Sequence, residues 1–390
     1  MIDWILDHGV ERVYPSREAL RAKLLKGERM RLYLGIDPTG PSLHLGHAVT
    51  IQKLAELQQL GHEIILLIGD FTAMIGDPTD KSAVRKTLTR KEVLANCKRY
   101  KQQASQILRF TGPNPAKLKF NSKWLAKMSF ADVVELASHF TVQQMIERDM
   151  FETRIAEGKP VHLHEFLYPL MQGYDSVAMD VDLEIGGNDQ TFNMLAGRDL
   201  QRILKQKEKF VITTKLLADP SGKKMGKTEG NMIAFTDEPE DAYGKVMSWS
   251  DPMIVPGFEI CTQALPDEVK KIREAIMSGK NPMSFKRELA KRITGWMFGE
   301  EAAEMAEVNF SKVHQEHEKP EVIPEFKIAG HITIVDALWL SGLVPSKSEA
   351  RRQVEQGGVR VDDKVVSDPT LIVKDGSVIQ KGKRYFVKIV

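Results

Sequence analysis

Hydrophobic and polar positions near the amino terminus follow a strand, helix, strand order. The apolar run from Leu32 to Ile36 is typical of a buried strand, and the turn-forming sequence Asp37-Pro38-Thr39-Gly40-Pro41 follows it. Leucines then recur at helical spacing until Gly61, and the β-branched run from residue 64 to 68 is typical of a parallel strand covered on both faces. This order predicts a βαβ unit, the building block of a Rossmann-type nucleotide-binding domain.

The remaining patterns predict a helical insertion and two further domains. Helical segments continue to about Gly158 and strand character returns from Val177 to Ile185, so the first domain is expected over residues 1–237. Polar helices separated by prolines predict an α-helical domain over residues 238–320, and a helix followed by short alternating strands predicts a small α+β module over residues 331–390. The predicted fold class is α/β, with a Rossmann-type domain carrying a helical insertion, then an α-helical domain and the α+β module.

Composition narrows the class of protein. The 390 residues are 42% hydrophobic and 28% charged, which is typical of a globular chain, and the net charge of +2 means that local basic patches must hold any polyanion. Two cysteines are too few for a disulfide framework or a four-thiolate metal site, so a cytoplasmic location is expected. No apolar run approaches the roughly 18 residues of a membrane span, and no membrane association is expected.

The motif His44-Leu45-Gly46-His47 begins the helix that follows the first strand. A helix amino terminus offers N–H groups and a partial positive charge to a phosphate, and two imidazoles three residues apart are expected to share one helix face and donate to the same phosphate oxygens. Capping or core histidines are an alternative. A zinc pair is another, although no cluster of Cys or Glu completes such a site.

A basic counterpart, Lys223-Lys224-Met225-Gly226-Lys227-Thr228, follows the turn-rich sequence Asp219-Pro220-Ser221-Gly222. Two lysines on a loop can close over a polyphosphate, while the stretch taken alone is more typical of a solvated run of charge. Together the two motifs resemble class I aminoacyl-tRNA synthetases, in which a His-Ile-Gly-His motif and a Lys-Met-Ser-Lys-Ser loop bind ATP on a Rossmann-type domain. This sequence differs from those motifs at Leu45, Gly226 and Thr228.

Three further segments resemble the bacterial-type tyrosyl-tRNA synthetase family, and with the terminal module the resemblance covers nearly the whole chain. They are Tyr33-Leu34-Gly35-Ile36-Asp37-Pro38-Thr39, Tyr168-Pro169-Leu170-Met171-Gln172-Gly173-Tyr174-Asp175 and Ile185-Gly186-Gly187-Asn188-Asp189-Gln190. The resemblance implies that L-tyrosine reacts with ATP to give tyrosyl-adenylate and pyrophosphate, and that tyrosine then passes to tRNA(Tyr). The attacking carboxylate is already ionised, so this first step needs no general base. Mg²⁺ is expected with ATP, without an assigned protein ligand, and a homodimer is implied.

The resemblance also assigns roles to residues. Those implied in catalysis, by aligning the reactants and stabilising charge, are Thr39, His44, His47, Lys224 and Lys227. Those implied in tyrosine binding are Tyr33 and Asp175 at the phenol, Asp77, Tyr168 and Gln172 at the ammonium group, and Gln190 beside the substrate. Those implied in ATP binding are Gly35, Asp37, Gly46, Thr50, Gly187 and Asp189. Without the resemblance, Tyr168 and Gln172 are equally typical of ordinary helix residues, and Asp77 of a turn.

Two basic segments and the terminal module are expected to contact RNA. A helix is predicted from Lys81 to Lys101 with eight basic residues and one acid, and a second basic cluster comprises Arg202, Lys205, Lys207 and Lys209. Residues 346–361 resemble the RNA-binding fold of the S4-type ribosomal protein. A solvated helix face and an inert cap are the respective alternatives.

Three competing functions remain. A tryptophanyl enzyme of the same subclass is disfavoured by Tyr33 with Asp175, because an indole offers a weaker donor at a different distance. A small-molecule adenylyltransferase is disfavoured by the lysine loop and the terminal module. An RNA-binding protein derived from an inactive synthetase is disfavoured because the residues implied in activity are intact: His44, His47, Lys224, Lys227 and Asp175.

Overall fold

The computed structural model describes residues 1–78, 88–218, 232–315, 323–327, 332–382 and 385–390. The contacts between residues divide the chain into two compact units. The first comprises residues 1–238 and 245–289, and the second comprises residues 239–244 and 290–390. The predicted domain limits at residues 237, 320 and 331 stay predictions.

Helices and strands alternate as far as residue 68, and runs of several helices or several strands make up much of the rest of the chain. The elements as far as the last strand of the first sheet are α1 Ile2–Asp7, β1 Val10–Tyr14, α2 Arg17–Leu25, β2 Arg31–Ile36, α3 Leu45–Gln59, β3 Glu63–Ile68, α4 Thr72–Ile75, α5 Arg90–Cys97, α6 Tyr100–Ala104, β4 Lys117–Phe120, α7 Ser122–Leu125, α8 Phe130–Ala137, α9 Val142–Ile146, α10 Asp149–Ala156, α11 Leu163–Met179, β5 Leu183–Gly187, α12 Thr191–Lys205 and β6 Phe210–Thr214. The later elements are α13 Pro239–Met247, α14 Ile254–Cys261, α15 Pro266–Met277, α16 Pro282–Phe298, α17 Glu300–Gln315, β7 Glu325–Phe326, β8 Ile332–Thr333, α18 Ile334–Leu340, α19 Lys347–Glu355, β9 Val359–Val361, β10 Lys364–Val366, β11 Ile372–Val373, β12 Val378–Lys381 and β13 Tyr385–Ile389.

The first unit is built on a six-stranded sheet in the order β1-β6-β5-β2-β3-β4. Every neighbouring pair is parallel except β1 with β6. Central strands such as β3 are apolar and buried along nearly their whole length, because helices cover a parallel sheet on both faces. Strand β2 lies between β5 and β3, with β3 and β4 on one side of it and β5 and β6 on the other. The strand order therefore reverses at β2, and in sheets of this kind ligands bind at such a reversal, beyond the carboxyl ends of the strands. The predicted Rossmann-type α/β fold with a helical insertion is confirmed.

The strand expected from Val177 to Ile185 is wrong over its first half. Val177 belongs to the last turn of α11, Asp180 ends that helix with a φ of 50°, and the strand begins only at Leu183. A buried helix end and a buried strand are both continuously apolar, so the sequence pattern could not separate them. The single helix expected from Lys81 to Lys101 is also wrong over the described residues, because α5 and α6 are two short helices separated at Arg99.

The carboxyl-terminal residues form the predicted small α+β module. A five-stranded sheet has the order β10-β9-β12-β13-β7, antiparallel apart from β13 with β7, and β11 pairs with β8. Helices α18 and α19 pack apolar side chains such as Leu338 and Val354 against this module's own core. In the described part of the chain, no helix combines the length and the apolar character needed to cross a membrane.

Candidate active site

The motif at residues 44–47 forms the amino-terminal cap of α3. His44 is the capping residue, and its Nδ1 accepts a hydrogen bond from the N–H of Gly46 at 3.1 Å. His47 returns the contact, since its Nδ1 accepts from the N–H of His44 at 3.2 Å. The two rings lie 3.9 Å apart between centroids. The expectation that both imidazoles lie on one helix face is therefore wrong for His44, which precedes the helix and meets His47 through capping.

This capping fixes where the imidazole protons lie. Because both Nδ1 atoms accept hydrogen bonds, the neutral rings carry their protons on Nε2 and can donate from that side. Thr50 lies one turn further along α3, and its hydroxyl donates to the carbonyl oxygen of His47 at 3.0 Å. A Cβ at Gly46 would lie 3.0 Å from the His44 ring, so glycine lets that ring fold over the helix end.

The loop between β2 and α3 is held at both sides. Asp37 accepts from the Thr72 hydroxyl at 2.7 Å and from the Tyr168 hydroxyl at 2.8 Å, so this predicted nucleotide residue and a predicted tyrosine-binding residue are joined directly. The N–H of Thr39 donates to the carbonyl oxygen of Asp37 at 2.8 Å, and the Thr39 side chain is exposed. No sequence pattern indicates the contact between Asp37 and Tyr168.

Residues of α5 and α6 fasten the rest of this loop. Asn96 donates to the carbonyl oxygen of Pro38 at 2.9 Å and Tyr100 to that of Gly40 at 2.6 Å. The amide of Gln103 bonds twice, donating to the carbonyl of Pro41 and accepting from the N–H of Leu43 at 2.7 Å. The segment predicted only as a basic RNA contact therefore also holds the loop that leads into the histidine motif.

One face of α11 presents four polar side chains toward the sheet. Tyr168, Gln172, Asp175 and Ser176 recur at helical intervals, which places them on the same side of a helix. The Asp175 carboxylate is buried and accepts from Trp124 Nε1 at 2.7 Å and Asn121 Nδ2 at 3.2 Å. Burial raises the pKa of Asp175 well above its ordinary value, and the two hydrogen bonds oppose that shift.

Tyr33 projects from β2 beneath the same helix face. Its side chain is fully buried, and its hydroxyl lies 3.0 Å from the Ser176 Oγ. Burial raises the pKa of Tyr33, as do the nearby carboxylates of Glu184 and Asp175, so the phenol stays protonated. The hydroxyl of Tyr33 and the carboxylate of Asp175 have separate partners.

The position of Lys209 shows that its predicted role in RNA binding is wrong. Its expected place is a basic surface for RNA, but its side chain is 0% exposed and forms an ion pair with the buried Glu184. Burial lowers the pKa of Lys209, and the Glu184 carboxylate opposes that shift. Sequence composition could not reveal this pair, because the residues are 25 positions apart and meet only where β6, which follows Lys209, pairs with β5. Lys207 is tied to Asp182 at 2.9 Å, while Arg202 and Lys205 are exposed.

The Asp77 carboxylate bridges two other elements. Gln190 Nε2 donates to it at 2.7 Å and Arg148 at 3.2 Å, so two predicted substrate residues, Asp77 and Gln190, are brought together. Asn193 in turn donates to Gln190 Oε1 at 2.9 Å. The buried guanidinium of Arg148 also lies over the Phe192 ring, at 5.7 Å from its centroid.

Two predicted glycines mark the carboxyl ends of β2 and β5. Gly35 is exposed although its strand is central, and a Cβ there would meet only side-chain atoms at 3.9 and 4.0 Å. At Gly187 a Cβ would lie 2.6 Å from Asp189 Oδ1, so only glycine admits that carboxylate, which follows in the short 3₁₀ turn Asn188–Gln190. Glycine backbone without a side chain and the Asp189 carboxylate thus lie where the strand order of the sheet reverses.

Several polar residues of this site are absent from the set predicted by sequence. They are Asn121, Trp124, Arg148, Ser176 and Glu184. Two of them could have been found from the sequence. Ser176 follows Tyr168 at helical spacing, and Glu184 lies inside the apolar strand β5, where a charged residue indicates a buried partner. Lys224 and Lys227 lie outside the described residues. Within the ranges described, no three His, Cys, Asp or Glu side chains are grouped to hold a metal ion.

Comparison with known proteins gives a consistent result. A family model for tRNA synthetases class I (W and Y) matches residues 25–315, and an S4 domain model matches residues 333–379. The tyrosine–tRNA ligase of Moorella thermoacetica is 43% identical, covering 99% of this chain and 94% of that protein. The tyrosine–tRNA ligase of Thermotoga maritima is 45% identical, covering 96% and 94% respectively.

Solved structures agree on the fold. The C-terminally truncated mitochondrial tyrosyl-tRNA synthetase of Coccidioides posadasii has a TM-score of 0.63 at 25% identity, covering 79% of this chain and 90% of that one. The tyrosyl-tRNA synthetase of Archaeoglobus fulgidus, complexed with L-tyrosine, has a TM-score of 0.61 at 23% identity, covering 78% and 98%.

Proposed function

This chain belongs to the tyrosine–tRNA ligases, a family of class I tRNA synthetases, and from that premise we propose how its residues carry out the reaction. It activates L-tyrosine with ATP to give tyrosyl-adenylate and pyrophosphate. It then transfers the tyrosyl group to the 3′ end of tRNA(Tyr).

The buried carboxylate of Asp175 is the observation that carries this proposal. It has two neutral donors, Trp124 and Asn121, and retains lone pairs that a phenol hydroxyl can use. Because burial disfavours its ionised form, a further donor at this position is stabilising. A substrate without the hydroxyl would leave such acceptors unpaired, which costs about 1–3 kcal/mol for each buried group. Asp175 and Tyr33 therefore favour tyrosine over phenylalanine.

The first step is displacement at the α-phosphorus of ATP. An oxygen of the tyrosine carboxylate forms the new P–O bond, and the bond to the β-phosphate oxygen breaks, so pyrophosphate leaves. ATP enters as its Mg²⁺ complex, as substrate. The Nε2–H groups of His44 and His47 and the helix terminus they cap stabilise charge on the phosphates. Thr39, Lys224 and Lys227 are assigned to the same task, the lysines following the departing pyrophosphate.

The remaining roles concern positioning. Asp77, Tyr168 and Gln172 hold the substrate ammonium group, and Gln190 lies beside it because it donates to Asp77. Asp189 and Thr50 face the ribose, while Gly35, Gly46 and Gly187 leave room for the nucleotide near the backbone. Asp37 connects the two substrates, since it accepts from Tyr168 at the start of the loop that carries Thr39.

Transfer requires contacts to tRNA. The S4 domain supports RNA binding at residues 333–379, and the exposed Arg202 and Lys205 provide phosphate contacts, whereas Lys209 is withdrawn from that role. A homodimer is supported by exposed apolar side chains of the insertion, where Phe130 is 84%, Val142 65% and Leu163 80% exposed. Cytoplasmic location stays a prediction.

The experiment that tests the function is ATP–pyrophosphate exchange with each of the twenty amino acids. We expect rapid exchange with tyrosine alone, followed by charging of tRNA(Tyr). Exchange driven by tryptophan would instead support the related tryptophanyl activity, and exchange with no amino acid would contradict the proposal.

A further inference from the structure

The ammonium group of Lys209 has all its donors engaged inside the protein. Its three N–H bonds reach Glu184 Oε2, the Ser176 hydroxyl at 2.8 Å and the carbonyl oxygen of Met194 at 3.0 Å. The side chain is fully buried, and the phosphate-contact role expected for it is excluded. Lys209 therefore acts on the residues around it and not on a partner at the surface.

The Glu184 carboxylate reaches both ends of the proposed tyrosine pocket. Its Oε1 accepts from Gln172 Nε2 at 3.1 Å, at the end assigned to the substrate ammonium group. Its Oε2 accepts from Lys209 and lies 3.5 Å from the Ser176 hydroxyl, which is the partner of Tyr33 at the phenol end. One ion pair thus contacts Gln172 directly and reaches Tyr33 through Ser176.

The charges decide the direction of each hydrogen bond. An ammonium group only donates, so the Ser176 hydroxyl accepts from Lys209 and keeps its own proton for another partner. The Tyr33 oxygen at 3.0 Å is a better acceptor for that proton than Glu184 Oε2 at 3.5 Å. With Ser176 as the donor, the Tyr33 hydroxyl keeps its own proton for the oxygen of the substrate phenol, and that phenol can donate to Asp175. Likewise the Gln172 amide donates an N–H to Glu184, so its carbonyl oxygen points away from Glu184 and can accept from another donor.

We propose that Lys209 and Glu184 are positioning residues for amino-acid selection, which make Tyr33 a donor to the oxygen of the substrate phenol and Gln172 an acceptor for the substrate ammonium group. The inference rests on the proposed function of the site. A purely structural role explains the pair less well, because desolvating two charges costs about as much as their attraction returns, and apolar side chains would serve equally as a core.

The test compares variants that remove the polarity of the pair with a matched control. The double variant Glu184→Gln/Lys209→Met removes both charges at similar volume, so neither charge is left buried alone. Ser176→Ala keeps both charges and removes the hydroxyl that links them to Tyr33. The control is Lys53→Met/Glu56→Gln on α3, a second buried lysine–glutamate pair with an Nζ to Oε2 distance of 2.9 Å that has no part in the proposed pocket. ATP–pyrophosphate exchange gives kcat and KM for tyrosine, phenylalanine and ATP, and thermal unfolding gives the Tm.

We expect the preference for tyrosine over phenylalanine, as a ratio of kcat/KM, to fall roughly 10- to 100-fold in both test variants, which is the effect of one charged hydrogen bond. The KM for tyrosine rises while the KM for ATP is unchanged, and the control keeps the wild-type ratio even where its Tm falls. Equal losses for tyrosine and phenylalanine, or an unchanged ratio, would overturn the inference. Wild-type protein that shows no preference for tyrosine would instead contradict the proposed function.

Discussion

The Tyr100 hydroxyl donates a 2.6 Å hydrogen bond to the carbonyl oxygen of Gly40. Tyr100 is buried in α6, and Gly40 lies in the loop between Asp37 and the histidine motif. Together with the amide of Gln103, which bonds to Pro41 and Leu43, this contact fixes the path of the loop by which the chain enters α3. Catalysis by alignment depends on such supports, because a shift of about 1 Å in a reacting group can cost roughly 100-fold in rate.

Tyr100→Phe is expected to lower kcat for adenylate formation roughly 3- to 10-fold, since a neutral hydrogen bond contributes about 1 kcal/mol. The KM for tyrosine should change little, because the loop does not form the phenol end of the pocket. Ser105→Ala is the control, as it removes a hydroxyl that donates to the carbonyl of Lys101 at the end of the same helix and does not reach the loop. Equal effects of the two substitutions in single-turnover kinetics would show that the loop contact has no catalytic role.

The histidine cap allows capping and catalysis to be separated. Asparagine is a strong helix-capping residue, so His44→Asn should keep the amino terminus of α3 intact with little change in Tm. It removes the Nε2–H donor, and we expect adenylate formation to slow roughly 10- to 1000-fold, the usual effect of losing one donor to a transition state. His44→Ala should lose both stability and rate. Wild-type pyrophosphate exchange in His44→Asn would show that His44 serves only as a cap.

Asp175→Ala should abolish most tyrosine activation while leaving the affinity for ATP nearly unchanged. The substitution removes the acceptor proposed for the phenol and leaves Trp124 Nε1 and Asn121 Nδ2 without their acceptor. We expect kcat/KM for tyrosine to fall at least about 100-fold, from the combined loss of an acceptor and of buried hydrogen bonds. Tyrosine-dependent exchange at the wild-type rate would refute the assignment, and a parallel loss of ATP binding, measured by equilibrium dialysis, would indicate a folding defect.

Much of the fold and part of the site follow from the sequence. The strand, helix, strand order predicts β2, α3 and β3, and the position of His44 at the helix start follows from it. Hydrophobic periodicity cannot give the tertiary contacts, and the link between Asp37 and Tyr168 spans 131 residues. Local pattern likewise offers no means of distinguishing Val177, at a buried helix end, from a strand residue.

Lys209 shows why charge is a poor guide to location. A lysine next to other basic residues is normally exposed, and only the pairing of β5 with β6 brings it to Glu184. Helical spacing, in contrast, carries a usable signal, since Ser176 lies about two turns after Tyr168 on the same face of α11. Spacing along one element can be predicted, while partners on different elements require the fold.

Removal of residues 332–390 tests whether the terminal module contributes to tRNA binding. Adenylate formation should be spared, because every described residue of the proposed site precedes residue 219. Charging of tRNA should fall roughly tenfold or more, since phosphate contacts supply much of the affinity for nucleic acid. Arg351→Ala/Arg360→Ala, which removes two exposed cations of the module, should raise the KM for tRNA in the same direction and weaken its salt dependence. Unchanged charging by both proteins would assign the module another task.

The lowered pKa of His8 predicts that the protein loses stability in acid. Burial, with a contribution from Lys53, lowers the pKa of His8 to about 4, while its ring stacks on Trp4 at 4.0 Å between centroids. In the unfolded chain an imidazole titrates near 6.5, so between about pH 6.5 and pH 4 the unfolded state binds a proton that the folded state does not. The free energy of unfolding contributed by His8 is therefore fully present above about pH 6.5 and declines as the pH falls toward 4.

After allowance for partial solvent screening, wild-type protein should lose about 1 kcal/mol through His8 between about pH 7 and pH 5. His8→Phe keeps a ring against Trp4 but cannot titrate, so its urea midpoint should fall less over the same range. His164→Gln, which removes an exposed imidazole, controls for the loss of one histidine. Because the comparison is between two pH values within each protein, a constant packing defect in His8→Phe cancels. If all three proteins show the same change in midpoint, His8 does not carry the acid sensitivity.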